Sequence, residues 1–214
     1  MIRNRQTNEL YETDKSKAQG FLYNNFFGRI ILKLLICPFI SKIVGRYQDS
    51  RFSKRAIKKF IKKNNINMDE YEDVEFKSFN DFFTRKLIRS CRNEDFRENE
   101  FISPCDSKLS AYEINNELVF KVKNAYCSVE TLLDNKELAK EYVVGYVLIF
   151  RLTVTDYHRY CYIDDGYQGK LNRIKGKLHT VNPIALGRYN FYHINQREYT
   201  VFESKNFGDL VYVS

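Results

Sequence analysis

The run Val143-Val-Gly-Tyr-Val-Leu-Ile-Phe-Arg-Leu152 leads directly into Thr153-Val-Thr-Asp-Tyr-His-Arg-Tyr-Cys-Tyr-Ile-Asp-Asp-Gly166. The first part is apolar and rich in β-branched and aromatic residues, which predicts a buried strand. The second part concentrates titratable side chains and ends in an Asp-Asp-Gly turn. Because a loop at the end of a rigid strand can present catalytic side chains, we expect the functional site here.

Working outward from this run, the pattern separates a helical front from a β-rich remainder. We predict strands at Leu118–Lys123, Val143–Leu152, Glu198–Glu203 and Asp209–Val213, and a helix at Ser128–Lys140. Earlier in the chain the spacing predicts helices within Phe21–Tyr47, Ser50–Asn64 and Phe76–Leu87. The predicted fold class is therefore α+β, with a helical region at residues 1–95 and a mostly antiparallel β domain at residues 96–214.

The positive charge of the chain is concentrated in its first third. Residues 1–64 contain 15 Lys and Arg against 4 Asp and Glu, whereas the whole chain has a net charge of +8. The remaining residues are therefore slightly acidic. This asymmetry indicates an anionic partner surface, and charge alone leaves nucleic acid and anionic lipid both open.

The most apolar segment, Phe21–Tyr47, has two interpretations. Phe27, Ile30 and Ile31 recur at helical spacing, and Pro38 should end or kink the helix. Lys and Arg interrupt the apolar run, so it makes a poor membrane-spanning segment. An amphipathic helix in a membrane interface and a helix facing the protein core both fit this pattern.

Two further helices follow from local signals. Ser50–Asn64 places Phe52, Ile57, Phe60 and Ile61 on one side and its cations on the other, which extends a basic surface or is simply solvated. In Phe76–Leu87, Ser78 is the expected N-cap, with Asp81 three residues later, and Arg85 and Lys86 are expected to close the helix.

The five cysteines indicate reduced thiols rather than a disulfide framework. Their number is odd, and none forms a CxxC pair, so we expect neither disulfides nor a metal site. The polar N-terminus leads into no apolar segment of the signal-peptide type, so we expect no signal peptide.

Four short motifs carry candidate chemistry, and each has an ordinary structural explanation as well. Asp106 follows a proline turn in Phe101–Asp106, where a carboxylate most often caps a turn. His158 lies beside Asp156 and Arg159 in the Thr153–Gly166 loop, and a lone histidine is more often structural than catalytic. The others are the segment Gly176–Pro183 with His179 and the turn Phe207–Val213.

Taken together, these motifs resemble the phosphatidylserine decarboxylase family. The matching segments are FNDFFTRKL (Phe79–Leu87), FISP-x-D (Phe101–Asp106), VTDYHRYCYIDDG (Val154–Gly166), GKLHTVNPIAL (Gly176–Leu186), REYTVF (Arg197–Phe202) and NFGDLVYV (Asn206–Val213). The resemblance runs from about residue 20 to the last residue. The most diagnostic pair is DYHR followed by TVNP.

This resemblance implies a lyase that removes CO2 from phosphatidylserine to give phosphatidylethanolamine in phospholipid biosynthesis. In this family a proenzyme cleaves itself at a Gly-Ser bond, and the serine becomes a pyruvoyl group. The pyruvoyl carbonyl forms a Schiff base with the substrate amine and accepts the electrons left by CO2. Self-cleavage uses an Asp-His-Ser relay, in which the acid orients the histidine and the histidine takes the serine proton.

Carried over residue by residue, the resemblance makes Asp106 the acid of the relay and His158 the histidine of the DYHR motif. His158 then serves the relay, the decarboxylation step, or both. Many relatives have a second histidine at the position of Cys161 and a glycine at the position of Ser107. His179 is a candidate second imidazole, and Cys161 is either a thiol acid/base or an inert buried cysteine.

Residues 1–214 contain nothing that resembles the Gly-Ser cleavage site, and Ser214 follows a valine in a predicted strand. We therefore expect the chain alone to be inactive and to need a C-terminal, pyruvoyl-bearing α chain. The first hypothesis is a β-chain part or truncated proenzyme, and the second is an inactive relic that keeps only membrane binding. A basic nucleic-acid-binding module ranks last, because the sequence has no helix-turn-helix, RNP or zinc pattern.

The resemblance and the basic front together imply a peripheral protein on the cytoplasmic face of the cell membrane. The expected partners are an anionic phospholipid surface, the substrate phosphatidylserine and the α chain, but no nucleic acid. A homodimer is left open.

Overall fold

The computed structural model describes residues 2–3, 8–11, 21–22, 25–35, 37–88, 91, 99–122, 125–177 and 194–214. The helices are α1 (Phe26–Leu35), α2 (Pro38–Asp49), α3 (Arg55–Asn64), α4 (Phe79–Phe83), α5 (Val129–Leu133) and α6 (Lys136–Lys140), with a 3-10 turn at Arg51–Lys54. The strands are β1 (Ile2–Arg3), β2 (Leu10–Tyr11), β3 (Lys108–Glu113), β4 (Val119–Val122), β5 (Ala125–Ser128), β6 (Tyr146–Arg151), β7 (Gly166–Gln168), β8 (Asn172–Ile174), β9 (Arg197–Ser204) and β10 (Gly208–Val213).

These elements confirm the predicted α+β class. β9 pairs with β7, β8 and β10, and its pairings with β7 and β10 are antiparallel. The pairs β1–β2, β3–β6 and β4–β5 form small two-stranded sheets. Most helical residues therefore precede β3, and mostly antiparallel strands with two short helices follow, as the hydrophobic patterns indicated.

The chain divides into two compact units made of interleaved segments. Unit 1 comprises Met1–Ser41, Ser110–Ile149 and Ile174–Arg197, and unit 2 comprises Lys42–Leu109, Phe150–Arg173 and Glu198–Ser214. The predicted division between a helical region at residues 1–95 and a β domain at residues 96–214 rests on the sequence pattern and stays a prediction.

In unit 1, the hairpin β4–β5 leads into the short helices α5 and α6. Phe120, Cys127 and Leu133 are buried there. Arg197 donates to the carbonyls of Thr131 and Leu132 at 2.6 and 2.7 Å. A guanidinium at these last helical carbonyls satisfies acceptors that the helix itself leaves free, which explains the arginine of the REYTVF segment.

In unit 2, aromatic rings build the core around α4. Phe82 is fully buried, and its ring contacts the rings of Phe60, Phe76 and Phe79 at centroid distances of 5.4 to 6.0 Å. Ser78 accepts a hydrogen bond from the Asp81 N–H and caps the helix, as predicted. The aromatic run therefore joins α3 and α4 through apolar contact.

Three predicted boundaries are wrong for identifiable reasons. The predicted helix Ser128–Lys140 is two helices, because Asp134 adopts a left-handed backbone and ends α5. The strand predicted from Val143 begins at Tyr146, because Val144 also has a left-handed backbone with φ 61°. The predicted helix Phe76–Leu87 ends at Phe83, so Arg85 lies beyond it and does not close it.

The Phe21–Tyr47 segment contains a break where proline predicted one. α1 ends at Leu35 and Pro38 begins α2, the position at which a missing N–H costs nothing. Phe26, Phe27, Ile30 and Ile31 of α1 are exposed, whereas Leu32 is buried. Ile43, Val44 and Tyr47 of α2 are exposed as well.

We predict that Phe82→Ala lowers the free energy of unfolding of the chain by about 3–5 kcal/mol, because it leaves a cavity among the rings of Phe60, Phe76 and Phe79. Urea denaturation followed by circular dichroism measures this loss. Phe52→Ala is the matched control, because Phe52 is 56% exposed and its loss should cost less than about 0.5 kcal/mol. Equal losses for the two variants would contradict a core centred on Phe82.

Candidate functional site

The loop after β6 is held by its own side chains. The Asp156 carboxylate accepts from the Thr153 N–H at 2.5 Å, and the Thr153 carbonyl accepts from the Asp156 N–H at 3.1 Å. The Thr153 carbonyl also lies 2.9 Å from Nε2 of His158. These short-range bonds fix the loop so that His158 is held at its base.

Phe83–Arg85, which begins with the last residue of α4, contacts this loop through three consecutive residues. The rings of Phe83 and His158 stack with centroids 4.1 Å apart. Nε of Arg159 donates to the Thr84 carbonyl at 2.9 Å, and Nη2 of Arg85 donates to the Thr155 carbonyl at 3.2 Å. The FFTR and DYHR motifs, which are more than 60 residues apart in the sequence, therefore form one structural element of unit 2.

His158 has one ring nitrogen engaged and one available. A carbonyl oxygen only accepts, so Nε2 carries the hydrogen that points to the Thr153 carbonyl. Burial lowers the pKa of His158 below its ordinary value, the bond to Thr153 and the charge of Asp156 oppose this, and the charge of Arg85 adds to it. In the neutral ring Nδ1 is an unprotonated acceptor, and it forms no hydrogen bond with the described residues.

The Phe101–Asp106 turn packs against the segment that follows His158. The Pro104 carbonyl accepts from the Cys161 N–H at 2.9 Å, and the Cys161 thiol also points to it, at 3.5 Å. Burial raises the pKa of the Cys105 thiol, and the charges of Asp106 and Asp156 raise it further. The turn is therefore joined to the segment that follows His158 through Pro104 and Cys161.

Ser107, which follows Asp106, carries a buried hydroxyl. It has no hydrogen-bond partner of normal geometry in the described part of the chain. The hydroxyl nevertheless lowers the pKa of the Cys105 thiol and so opposes the effect of burial. A buried hydroxyl of this kind can donate to a further acceptor.

The Asp-Asp-Gly end of the motif has a structural role. The Asp164 carboxylate accepts from the Ser204 hydroxyl and from two N–H groups of Asn206, and the Ser204 hydroxyl lowers the pKa of Asp164 most. A Cβ on Gly166 would lie 2.2 Å from the Glu203 carbonyl oxygen, so only glycine fits in β7 there. These residues hold the β9–β10 hairpin.

Tyr212 closes the same region from β10. Its hydroxyl accepts from the Ile163 N–H at 3.1 Å, and burial raises the pKa of Tyr212 to about 12. Tyr162 stacks on Phe202 with centroids 4.5 Å apart. The end of the DYHR segment is thus bound to the β9–β10 sheet within unit 2.

The two predicted catalytic residues, Asp106 and His158, both belong to unit 2. The carboxylate whose charge acts on His158 is that of Asp156, two residues away in the same loop. Direct pairing of Asp106 with His158 stays a prediction. His179 lies outside the described residues, and Cys161 serves as a backbone and thiol contact to Pro104.

Sequence reasoning missed Phe83 and Arg85 as neighbours of His158. Both were assigned to a helix by their local pattern, and no periodicity relates them to the DYHR loop. The only available signal was that FFTR and DYHR recur together in the family resemblance.

The described residues contain neither a metal-binding cluster nor a membrane-spanning helix. No group of three or more His, Cys, Asp or Glu in these parts of the chain is arranged to hold a metal ion. Among the helices that the structure describes, none has the length and apolar character needed to cross a membrane.

We predict that His158 makes the stability of the chain depend on pH. The folded state lowers the pKa of His158 below 6.5, so this group contributes stability above about pH 6.5 that is lost as the pH falls through the folded pKa. The free energy of unfolding should therefore drop more between about pH 7.5 and about pH 5.5 for the wild type than for His158→Gln. Urea denaturation at both pH values measures the difference, and parallel losses would exclude a depressed pKa at His158.

Comparison with known proteins relates the sequence of this chain to one family. The family model described as phosphatidylserine decarboxylase matches residues 79–214, which include Phe83–Arg85 and the Thr153–Gly166 loop. Phosphatidylserine decarboxylase proenzyme 2 of Clostridium acetobutylicum is 44% identical over 99% of this chain and 74% of the relative. The proenzymes of Clostridium novyi and Clostridium kluyveri are 42% and 41% identical over 96% and 98% of this chain, and 72% and 73% of their own lengths. This chain therefore belongs to the phosphatidylserine decarboxylase family.

Proposed function

We propose that this chain forms the β-chain part of a phosphatidylserine decarboxylase, which converts phosphatidylserine to phosphatidylethanolamine and CO2 in phospholipid biosynthesis. The observation that carries the proposal is His158, whose Nε2 is held by the Thr153 carbonyl while Nδ1 has no hydrogen-bond partner among the described residues. A half-buried neutral imidazole with one free nitrogen can take or give a proton at that atom. Family membership and the proenzyme names of the relatives support the same activity.

We propose further that the enzyme depends on a pyruvoyl group formed from a serine outside residues 1–214. None of the nine glycines in these residues is followed by serine, so the residues alone provide no Gly-Ser bond and should be inactive by themselves. When bound, a pyruvoyl carbonyl supplies the electron sink for loss of CO2. The chemistry of the donors fits such a carbonyl, because the buried Ser107 hydroxyl is available to donate and His158 can move a proton at Nδ1.

The acid of the self-cleavage relay is Asp106 in this proposal. It lies in a turn that the Pro104–Cys161 hydrogen bond holds to the DYHR segment. Its charge raises the pKa of the Cys105 thiol, as the charge of Asp156 does. An acid in a relay orients the histidine and stabilises the imidazolium that forms when the serine proton is taken.

We predict that Asp106→Ala blocks self-cleavage in residues 1–214 joined to the segment that follows the match in the Clostridium acetobutylicum relative. Gel electrophoresis shows the loss of cleavage, and mass spectrometry of the wild type should show a pyruvoyl-blocked second chain. Asp165→Ala is the matched control, because this acid lies in the Asp-Asp-Gly turn, where Asp164 makes the hydrogen bonds.

Each outcome assigns a role. Normal cleavage of Asp106→Ala would remove this residue from the relay. His158→Gln in the same joined chain separates the two roles of the histidine, because it either stops cleavage or leaves cleavage intact and lowers decarboxylation. A pyruvoyl-blocked chain without decarboxylase activity in the wild type would favour the inactive relic.

We propose that the protein binds the cytoplasmic face of the cell membrane as a peripheral protein, through an anionic phospholipid surface. Support comes from Lys42–Asn64 of unit 2, where Ile43, Val44, Tyr47 and Phe52 are exposed in a segment whose cations are mostly exposed as well. Apolar side chains beside cations suit the boundary between lipid head groups and acyl chains.

We predict that the chain binds vesicles of phosphatidylcholine with phosphatidylglycerol, and that binding weakens as NaCl is raised because the charges are screened. Phosphatidylglycerol is anionic without being the substrate, so this measures the surface alone. Ile43→Ser should lower the partition coefficient by a factor of about five, since about 1 kcal/mol of apolar burial is lost.

Leu171→Ser is the matched control for the sedimentation assay. Leu171 is 52% exposed and Ile43 is 50% exposed, but Leu171 lies in a loop of unit 2 outside the basic helices. Salt-insensitive binding, or equal losses for the two variants, would contradict the proposed membrane surface.

A further inference from the structure

Arg85 is a buried cation with no counter-charge. Arg85 is 2% exposed, and in the part of the chain that the structure describes neither Nε nor Nη1 has a hydrogen-bond partner. Nη2 donates to the Tyr71 hydroxyl and to the Thr155 carbonyl, each at 3.2 Å. None of the described carboxylates forms an ion pair with it.

The groups packed around the guanidinium carry no charge. Its central carbon lies 4.3 Å from the ring centroid of Tyr71 and 5.1 Å from that of Phe82. These π faces attract a cation but do not neutralise it. Burying an unpaired charge costs free energy, and an apolar side chain of similar size is often at least as stable. Stability therefore does not explain an arginine here.

The positive charge of Arg85 acts on His158 through surroundings of low dielectric constant. The segment Phe83–Arg85 contacts the histidine loop at the stacked ring and at the Thr155 carbonyl. Because no described carboxylate pairs with Arg85, no opposite charge weakens the electric field of the guanidinium at the imidazole. The described structure thus brings a fixed positive charge to the residue that must stay neutral to act as a base.

We propose that Arg85 is a positioning residue for His158, which holds the loop through the Thr155 carbonyl and adds its own uncompensated charge to the burial that already favours the uncharged imidazole. Its consequence for catalysis rests on the proposed function, namely that His158 moves a proton at Nδ1. An imidazolium has hydrogens on both nitrogens and cannot accept a proton.

Two charges act on His158 in opposite directions. Asp156, fixed to the Thr153 N–H in the same loop, favours the imidazolium, and Arg85, from the segment after α4, disfavours it. Phe83 and Thr153, which also contact the ring, are uncharged. Without Arg85, the charge of Asp156 is unopposed, so His158 takes up a proton at a higher pH.

Three substitutions separate the charge from the hydrogen bond. Arg85→Gln keeps an N–H donor but removes the charge, Arg85→Lys keeps the charge but removes the planar fork, and Arg85→Met removes both. The ¹⁵N and ¹³C imidazole signals of the chain are followed against pH by NMR, with His158→Gln used to assign His158 among the three histidines. This readout does not depend on enzyme activity.

The titration of His158 should move to higher pH in Arg85→Gln and Arg85→Met and stay near the wild-type position in Arg85→Lys. A shift confined to Arg85→Met would mean that only the hydrogen bond to Thr155 matters, and unchanged titration in all three would overturn the proposal. If both neutral variants fail to fold, Arg85→Lys still decides, because a His158 titration that moves to higher pH while the positive charge is kept would contradict the electrostatic role of Arg85.

Decarboxylation by the joined and processed enzyme gives the second readout. The acid limb of kcat/KM should move to higher pH in Arg85→Gln, so that activity relative to the plateau falls by about twofold or more at the wild-type midpoint. A shifted NMR titration with an unshifted acid limb would leave the role of Arg85 intact and remove His158 as the base. In that case the proposed function, and not this inference, fails.

Discussion

The hydrogen bond from buried Arg85 to the Thr155 carbonyl is the contact on which the arrangement of the site depends. Two further contacts join the same segments, namely the Phe83–His158 ring stack and the bond from Arg159 to the Thr84 carbonyl. Three neighbouring residues of one motif thus meet three positions of the other. Because the FFTR segment is anchored by the aromatic core around Phe82, the position of His158 is set by packing far from the loop itself.

The chemistry of His158 follows from how its surroundings divide the two ring nitrogens. The Thr153 carbonyl takes the Nε2 hydrogen, burial disfavours the imidazolium, and Asp156 and Arg85 oppose one another. Asp156 is itself occupied by the Thr153 N–H, so it acts on the ring through its charge. An imidazole held in this way can exchange a proton at one defined atom.

Cys161 joins two segments of the site through its backbone and its thiol. Its N–H and its thiol both contact the Pro104 carbonyl. The Asp106 turn is therefore attached to the DYHR segment. The arrangement leaves His158 as the described imidazole of the site, and it makes the protonation state of that one ring more important for the proposed activity.

The sequence by itself determined the fold class and indicated the strand-to-loop position of the site, whereas Asp106 and His158 became catalytic candidates through the family resemblance. The fold class follows from local patterns, because side-chain periodicity, capping at Ser78 and a helix break before Pro38 depend on neighbouring residues only. The splitting of the Ser128–Lys140 helix and the late start of β6 escaped it, because aspartate has only a moderate preference for the left-handed backbone seen at Asp134, and a β-branched residue such as Val144 rarely adopts it.

Only the tertiary structure decided which residues surround His158. The local sequence pattern assigns Phe83 and Arg85 to the end of a helix. Their contact with the DYHR loop arises because residues more than 60 positions apart pack together. The burial of Arg85 and the absence of a charged partner for it in the described chain are likewise properties of the packed interior. The motif supplied the histidine, and long-range packing set its charge, because burial and electrostatic fields depend on distance in space and not on distance along the chain.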